Sequence, residues 1–333
     1  MQRTILMIFS ARKIISSIIL ISFALCLQTG CSDNNSGDIS NVIPGNEKTS
    51  ASSSDIIADK NDFDFTSYES PEISGIEKIS EENAFSDKCQ TFRFSYLSDS
   101  YNIGAYISIP LSCIEKQEPC RCILYNRGGN DHMGLLGIHD TEKFCAATGR
   151  IVIASQYRGA GGAQGEDQFG GDDLRDVAKL IDLCEKTFRF ADMTDFCIAG
   201  LSRGGMMSYM TAKQDSRIKK MVVISAVSDL ISSYYDNTDM ETMLHAAIGC
   251  SPEEAMDEYK KRSAVYWSEK IRIPVLIIHS RYDSLISFEQ AEVMYEKLRK
   301  TTDCTFIRHE DNVHGIHRED LSAIAEWLEK HEK

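Results

Sequence analysis

Gly200-Leu201-Ser202-Arg203-Gly204 sets a serine between two glycines, between the apolar run Phe196-Cys197-Ile198-Ala199 and the segment Gly205-Met206-Met207-Ser208-Tyr209-Met210. The first run reads as a buried strand and the second as a helix, so Ser202 stands at a strand-to-helix corner. Such a corner exposes a hydroxyl, and glycine there avoids side-chain clash in a tight turn. The five-residue pattern alone arises by chance in on the order of one chain in ten of this length, so its weight rests on residues elsewhere. A serine hydroxyl is a weak nucleophile at neutral pH. A general base must take its proton, and an acid must orient and stabilise that base. Asp283 and His314, both downstream of Ser202, are the candidates. His317, one helical turn beyond His314, is the serious rival; His245 falls in a different segment and His309 in or just after a strand. Asp311 precedes His314 on the same loop and reads as a loop residue rather than as the acid.

The elements that must position these groups are legible as alternating patterns. Phe92, Phe94 and Tyr96, then Ile103, Ala105, Ile107 and Ile109, alternate with other residues on either side of Ser98-Asp99-Ser100, which predicts a β-hairpin. Beyond Pro110 short apolar runs follow at Ile123-Leu124-Tyr125, Ile151 to Ala154, Phe196 to Ala199, Met221 to Ile224, Val275 to Ile278 and Thr305-Phe306-Ile307, with helical segments between them. Continuous apolar strands alternating with helices predict a mainly parallel sheet covered on both faces. Asp172 and Asp173 open one helix, whose stripe is Leu174, Val177, Ile181 and Cys184 and whose end is Lys186; a last helix runs from about Asp320 to Lys330. Asp283 follows the fifth of these strands and His314 the sixth. The stretch from about 229 to 270 exceeds a simple crossover and predicts a small helical cap.

Ser202 before Asp283 before His314, with acid and histidine on loops after late strands, resembles the α/β-hydrolases. The expected fold class is therefore α/β: an α/β-hydrolase fold with a mainly parallel central sheet, flanking helices and the cap insertion. The resemblance implies an oxyanion hole made by the backbone N–H of Arg203 together with one from the loop Asn126-Arg127-Gly128-Gly129-Asn130, although a Gly-Gly pair by itself also reads as an ordinary turn. That loop, Gly200 to Gly205, Gln156-Tyr157-Arg158-Gly159 and Phe169-Gly170-Gly171-Asp172-Asp173-Leu174-Arg175-Asp176-Val177 resemble the catalytic domain of the prolyl oligopeptidase family. Arg262-Ser263-Ala264 before Ile273-Pro274-Val275 is similar too, with Ala264 where the family commonly has proline. The resemblance covers residues 88 to 330 and implies Ser202 as nucleophile, Asp283 as acid and His314 as base.

Two departures bear on the substrate. Family peptidases usually carry a large β-propeller, and the roughly 60 residues between the expected signal peptide and the domain are too few for one. Arg127 stands where the family often has tyrosine or histidine. A cation there could stabilise an oxyanion or an anionic substrate, or form a salt bridge, and the salt bridge is the preferred reading; for Arg158 the candidate partners are Asp172, Asp173 and Asp176. The expected function is a serine hydrolase acting on a peptide, with a small-molecule or carbohydrate ester as the alternative and a non-catalytic binding protein as a poorer third.

Of 333 residues, 50 are acidic and 36 basic, a net charge of −14 that repels nucleic acid in the absence of a basic patch. Arg3, Arg12 and Lys13 precede the apolar stretch Ile14 to Leu27, of a length for an export signal rather than a membrane span. Gln28-Thr29-Gly30-Cys31 resembles a bacterial lipobox, with leucine one place early, and Ser32 to Asp62 is a polar tether. The expected organisation is a signal peptide over 1–30, a tether and lead-in over 31–85, and a catalytic domain over 86–333, exported and lipid-anchored through Cys31. Eleven cysteines, less Cys26 and Cys31, leave an odd number, so complete internal pairing is excluded. Cys145, Cys184 and Cys197 read as core thiols; one bridge is conceivable among Cys113, Cys120 and Cys122, which lack metal-site spacing. No metal and no cofactor are expected, and the oligomeric state is not readable.

Overall fold

Leu124, Ile153, Ile198, Met221, Val223, Val275 and Ile277 pack into one hydrophobic core, and their neighbours Ile123, Val152, Cys197, Val222, Ile224, Leu276 and Ile278 pack into another. Successive side chains on a strand point to opposite faces, so a strand covered on both faces must be apolar at every position. This is the physical origin of the continuous runs in the sequence.

The structure, a computed structural model, describes residues 63–79, 83–116 and 118–332. The expected signal peptide, Cys31 and the tether up to residue 62 lie outside the described residues. In chain order the strands and helices are β1 (Ile73–Ile79), β2 (Cys89–Ser98), β3 (Tyr101–Pro110), α1 (Leu111–Lys116), β4 (Cys120–Asn126), α2 (Ile138–Thr148), β5 (Ile151–Ser155), α3 (Leu174–Lys186), β6 (Ala191–Leu201) and α4 (Arg203–Gln214). They continue as β7 (Lys220–Ile224), α5 (Leu230–Asp236), α6 (Thr238–Ile248), α7 (Met256–Arg262), β8 (Val275–Ser280), α8 (Phe288–Leu298), β9 (Cys304–His309) and α9 (Arg318–Lys330).

All nine strands form one sheet in the order β1-β2-β3-β5-β4-β6-β7-β8-β9. The first three strands and the β3–β5 pair run antiparallel, and every pair from β5 to β9 is parallel. The hairpin expected around Asp99 is present, with Ser98 opposite Tyr101. Helices α3 and α4 cover one face through Val177, Leu180, Ile181, Met206, Met207 and Tyr209, and α2 and α9 cover the other through Phe144, Cys145, Ile324, Trp327 and Leu328. The segment read as a cap holds α5, α6 and α7 and two 3₁₀ turns.

One sequence expectation changes. Of the lead-in drawn to residue 85, the described residues 63–79 and 83–85 belong to the folded body. Phe65 is fully buried in an aromatic cluster with Phe63, Tyr68, Phe92, Phe94, Phe188 and Phe190, and β1 pairs with β2 at the sheet edge. The sequence hid this strand because β1 is mostly exposed and carries Ser74, Glu77 and Lys78. Among the cysteines, Cys113 and Cys120 form a disulfide joining α1 to the start of β4, while Cys145, Cys184 and Cys197 are buried free thiols. Among the described residues no helix is long and apolar enough to cross a membrane.

Candidate active site

Strand register brings the predicted residues to one edge of the sheet. Asn126 of β4 pairs with Gly200 of β6, Leu201 with Ile224 of β7, Ile224 with Ile278 of β8, and Ser280 with His309 of β9. The loops that leave these strand ends carry Arg127-Gly128, Ser202, Asp283 and His314. Carboxyl ends of parallel strands are where α/β sheets hold ligands.

Between β6 and α4 the chain turns on one residue. Ser202 has φ 56° and ψ −120°, a conformation that costs a non-glycine residue about 1–3 kcal/mol. Hydrogen bonds hold it there: the Ser202 N–H donates to the Ile224 carbonyl at 2.8 Å, and its carbonyl accepts from the Gly205 N–H at 2.9 Å. The glycines around it have no room for a side chain. A Cβ at Gly204 would lie 2.0 Å from the Asn126 carbonyl oxygen, one at Gly200 2.1 Å from that of Gly204, and one at Gly205 2.3 Å from Ala226 Cβ. At Gly128 it would stand 3.3 Å from Ser202 Cβ and 3.2 Å from the Leu201 carbonyl, so the loop after β4 closes directly on the serine. Arg203 begins α4, and its N–H is among those a helix leaves without an intrahelical partner, available to a developing anion.

Asp283 and His314 meet across the ends of β8 and β9. His314 Nδ1 is 2.8 Å from Asp283 Oδ2, while Asp283 Oδ1 accepts from the backbone N–H groups of Leu285 (2.9 Å) and Ile286 (3.1 Å). An ionised carboxylate only accepts, so His314 donates through Nδ1 and keeps its lone pair on Nε2, the tautomer a general base needs. Burial by itself would raise the Asp283 pKa. Hydrogen bonding to His279 and His314 and the Ile286 N–H outweigh it and hold the carboxyl well below the usual carboxylate range. His279, buried on β8, donates from Nε2 to the Ile286 carbonyl at 3.0 Å and lies 3.4 Å from Asp283 Oδ2. The sequence reading gave this histidine no role; its only signal was its place four residues before the acid.

Arg127 behaves differently from expectation. The Arg127 side chain, 1% exposed, forms no salt bridge; it donates to the carbonyls of Gln156, Gly128, Met133 and Asp131 and stacks on Tyr157. The nearby carboxylates are already engaged. Arg203 donates to Asp167 at 2.6 Å, to Asp173, and to the Gly129 carbonyl at 3.0 Å, and lies over Tyr157 and Phe169. The residue after the serine thus ties the turn to the Gly128-Gly129 loop and to the Tyr157–Asp173 segment. Arg158 takes Asp176 and Asp99 as partners, the first expected and the second not. His317, the rival base, bonds Asp311 at 2.8 Å rather than Asp283.

A serine at a strained strand–helix corner on a parallel sheet, with a hydrogen-bonded Asp–His pair at the same edge, defines an α/β-hydrolase of the serine hydrolase class. The sequence model of the prolyl oligopeptidase family matches residues 139–333, and the chain belongs to that family. An uncharacterised peptidase of Bacillus subtilis (strain 168), YtmA, is 29% identical over 218 residues, covering 65% of this chain and 82% of that protein. Among solved structures the acylaminoacyl peptidase of Pyrococcus horikoshii superposes with TM-score 0.66 at 19% identity over 73% of this chain. This chain spans only 42% of that enzyme. Acetyl xylan esterase 1 from Thermoanaerobacterium sp. JW/SL YS485 gives TM-score 0.57 at 17% identity, covering 81% of this chain and 94% of the esterase.

Proposed function

We propose that the protein is an exported peptidase that works through an acyl-enzyme on Ser202. His314 Nε2 takes the Ser202 proton as Oγ attacks the substrate carbonyl, and Asp283 holds the imidazole and stabilises the imidazolium. Backbone N–H groups of Arg203 and Gly128 receive the oxyanion. The C–N bond breaks as His314 returns the proton to the leaving amine, and water attacks the acyl-enzyme by the same base catalysis. The observation that carries this reading is the 2.8 Å His314–Asp283 bond at the sheet edge that also carries the Ser202 turn. A peptide substrate is favoured by family membership and by the likeness to YtmA over most of that peptidase's length. An ester is the second reading, since the same groups attack an ester carbonyl and the acetyl xylan esterase of similar extent shares the fold.

A fluorophosphonate probe should label the wild type and not Ser202→Ala; a folded wild type that resists labelling overturns the mechanism. Turnover of p-nitrophenyl acetate with no cleavage across a broad peptide library would move the assignment to the esterase. Export is favoured by the N-terminal pattern and by the Cys113–Cys120 disulfide, which suits an oxidising compartment. The lipid anchor at Cys31 predicts that Cys31→Ser shifts the protein out of the membrane fraction, and an unchanged distribution removes it.

A further inference from the structure

Two histidines bracket the loop that carries His314. His309 closes β9, and His317 precedes the first residue of α9. Their imidazole rings stand 3.9 Å apart at an angle of 36°, and both face Asp320 in the first turn of α9. Asp320 is 1% exposed. His309 Nε2 is 2.8 Å from its Oδ1 and His317 Nδ1 is 3.3 Å from its Oδ2. One donor atom from each of the three residues lies within 4.8 Å of the other two.

The fourth member explains why this cluster asks for a cation. Asp311 Oδ2 lies 2.8 Å from His317 Nε2. An ionised carboxylate can only accept, so His317 gives Asp311 its Nε2–H and turns Nδ1 towards Asp320. That Nδ1 is buried and has no hydrogen-bond partner. Left neutral, it would set a lone pair against a carboxylate oxygen, so positive charge belongs between them. A metal ion there would find two imidazole nitrogens and a buried carboxylate. Behind one imidazole stands an outer carboxylate, the arrangement that orients histidine ligands in metal sites.

We propose that His309, His317 and Asp320 bind a divalent transition-metal ion of the zinc class, with Asp311 orienting His317. Nitrogen and carboxylate donors suit such an ion. The ion would join the end of β9 to the start of α9 and so clamp both ends of the His314 loop, without touching Asp283 or Ser202. The sequence reading expected no metal because it weighed cysteine spacing; His309 and His317 were judged only as candidate bases.

The test is zinc titration of the full chain, freed of metal with chelator, by calorimetry, with melting temperature followed in parallel. The expected result is one zinc per chain at about micromolar affinity or tighter and a raised melting temperature. His309→Gln, which keeps a hydrogen-bonding side chain for Asp320, should weaken binding by about 100-fold, and Asp311→Asn, at the surface, by about 10- to 100-fold. Cobalt in place of zinc should give visible absorption bands that His309→Gln loses. No saturable binding by the wild type up to about 100 μM zinc, or equal affinity in His309→Gln, overturns the proposal and leaves an imidazolium at His317 as the charge between the two groups.

Discussion

The carboxylate of Asp283 accepts from two backbone N–H groups on one oxygen and faces His314 and His279 with the other. Every neighbour favours the ionised form, and together they outweigh burial. Asp283→Asn removes the charge that stabilises the His314 imidazolium, and kcat should fall on the order of 10⁴-fold; steady-state kinetics on any cleaved substrate measures this, and near-normal turnover would take Asp283 out of the mechanism. The same residue predicts a pH effect on stability. Its folded pKa lies below the unfolded value of about 3.9, so its contribution is fully present above that pH and is lost as pH falls through the folded pKa. Denaturant midpoints of wild type and Asp283→Asn should therefore differ most near neutrality and converge as pH drops below about 4.

At the scale of elements, the turn between β6 and α4 depends on contacts outside itself. Arg203 is 1% exposed and neutralises Asp167 and Asp173, which belong to the segment between β5 and α3. Arg203→Met keeps the volume near the stacked rings of Tyr157 and Phe169 but leaves two carboxylates unpaired. Breaking a buried ion pair from one side costs about 3–5 kcal/mol, which urea unfolding would read. A loss under about 1 kcal/mol, typical of exposed pairs, would mean that these carboxylates are solvated. The sequence motif Gln156 to Val177 was legible as a family resemblance, and the pairing of its Arg158 with its Asp176 was among the expected ones; what was not legible is that Asp167 and Asp173 pair with Arg203, outside the motif.

Across the whole molecule, the sheet extends past the hydrolase core by way of β1, and Phe65 anchors that extension among six other rings. Phe65→Ala should destabilise the entire domain by about 3–5 kcal/mol, seen as one shifted cooperative transition. A separate early transition would instead mark residues 63–79 as an appendage. Neither the strand nor its anchor stood out in the sequence, because an edge strand with one solvated face carries no continuous apolar run.

The sequence by itself determined the parallel sheet, the hairpin before it, and the order Ser202, Asp283, His314, because these rest on local periodicity and on which strand each residue follows. Tertiary structure alone decided what each side chain meets: His279 beside the acid, Arg127 among carbonyls instead of in a salt bridge, and His309, His317 and Asp320 brought together. Such meetings depend on strand register and on the turn of each loop, which set where each side chain lands even among residues close in the chain and leave no periodic trace in it.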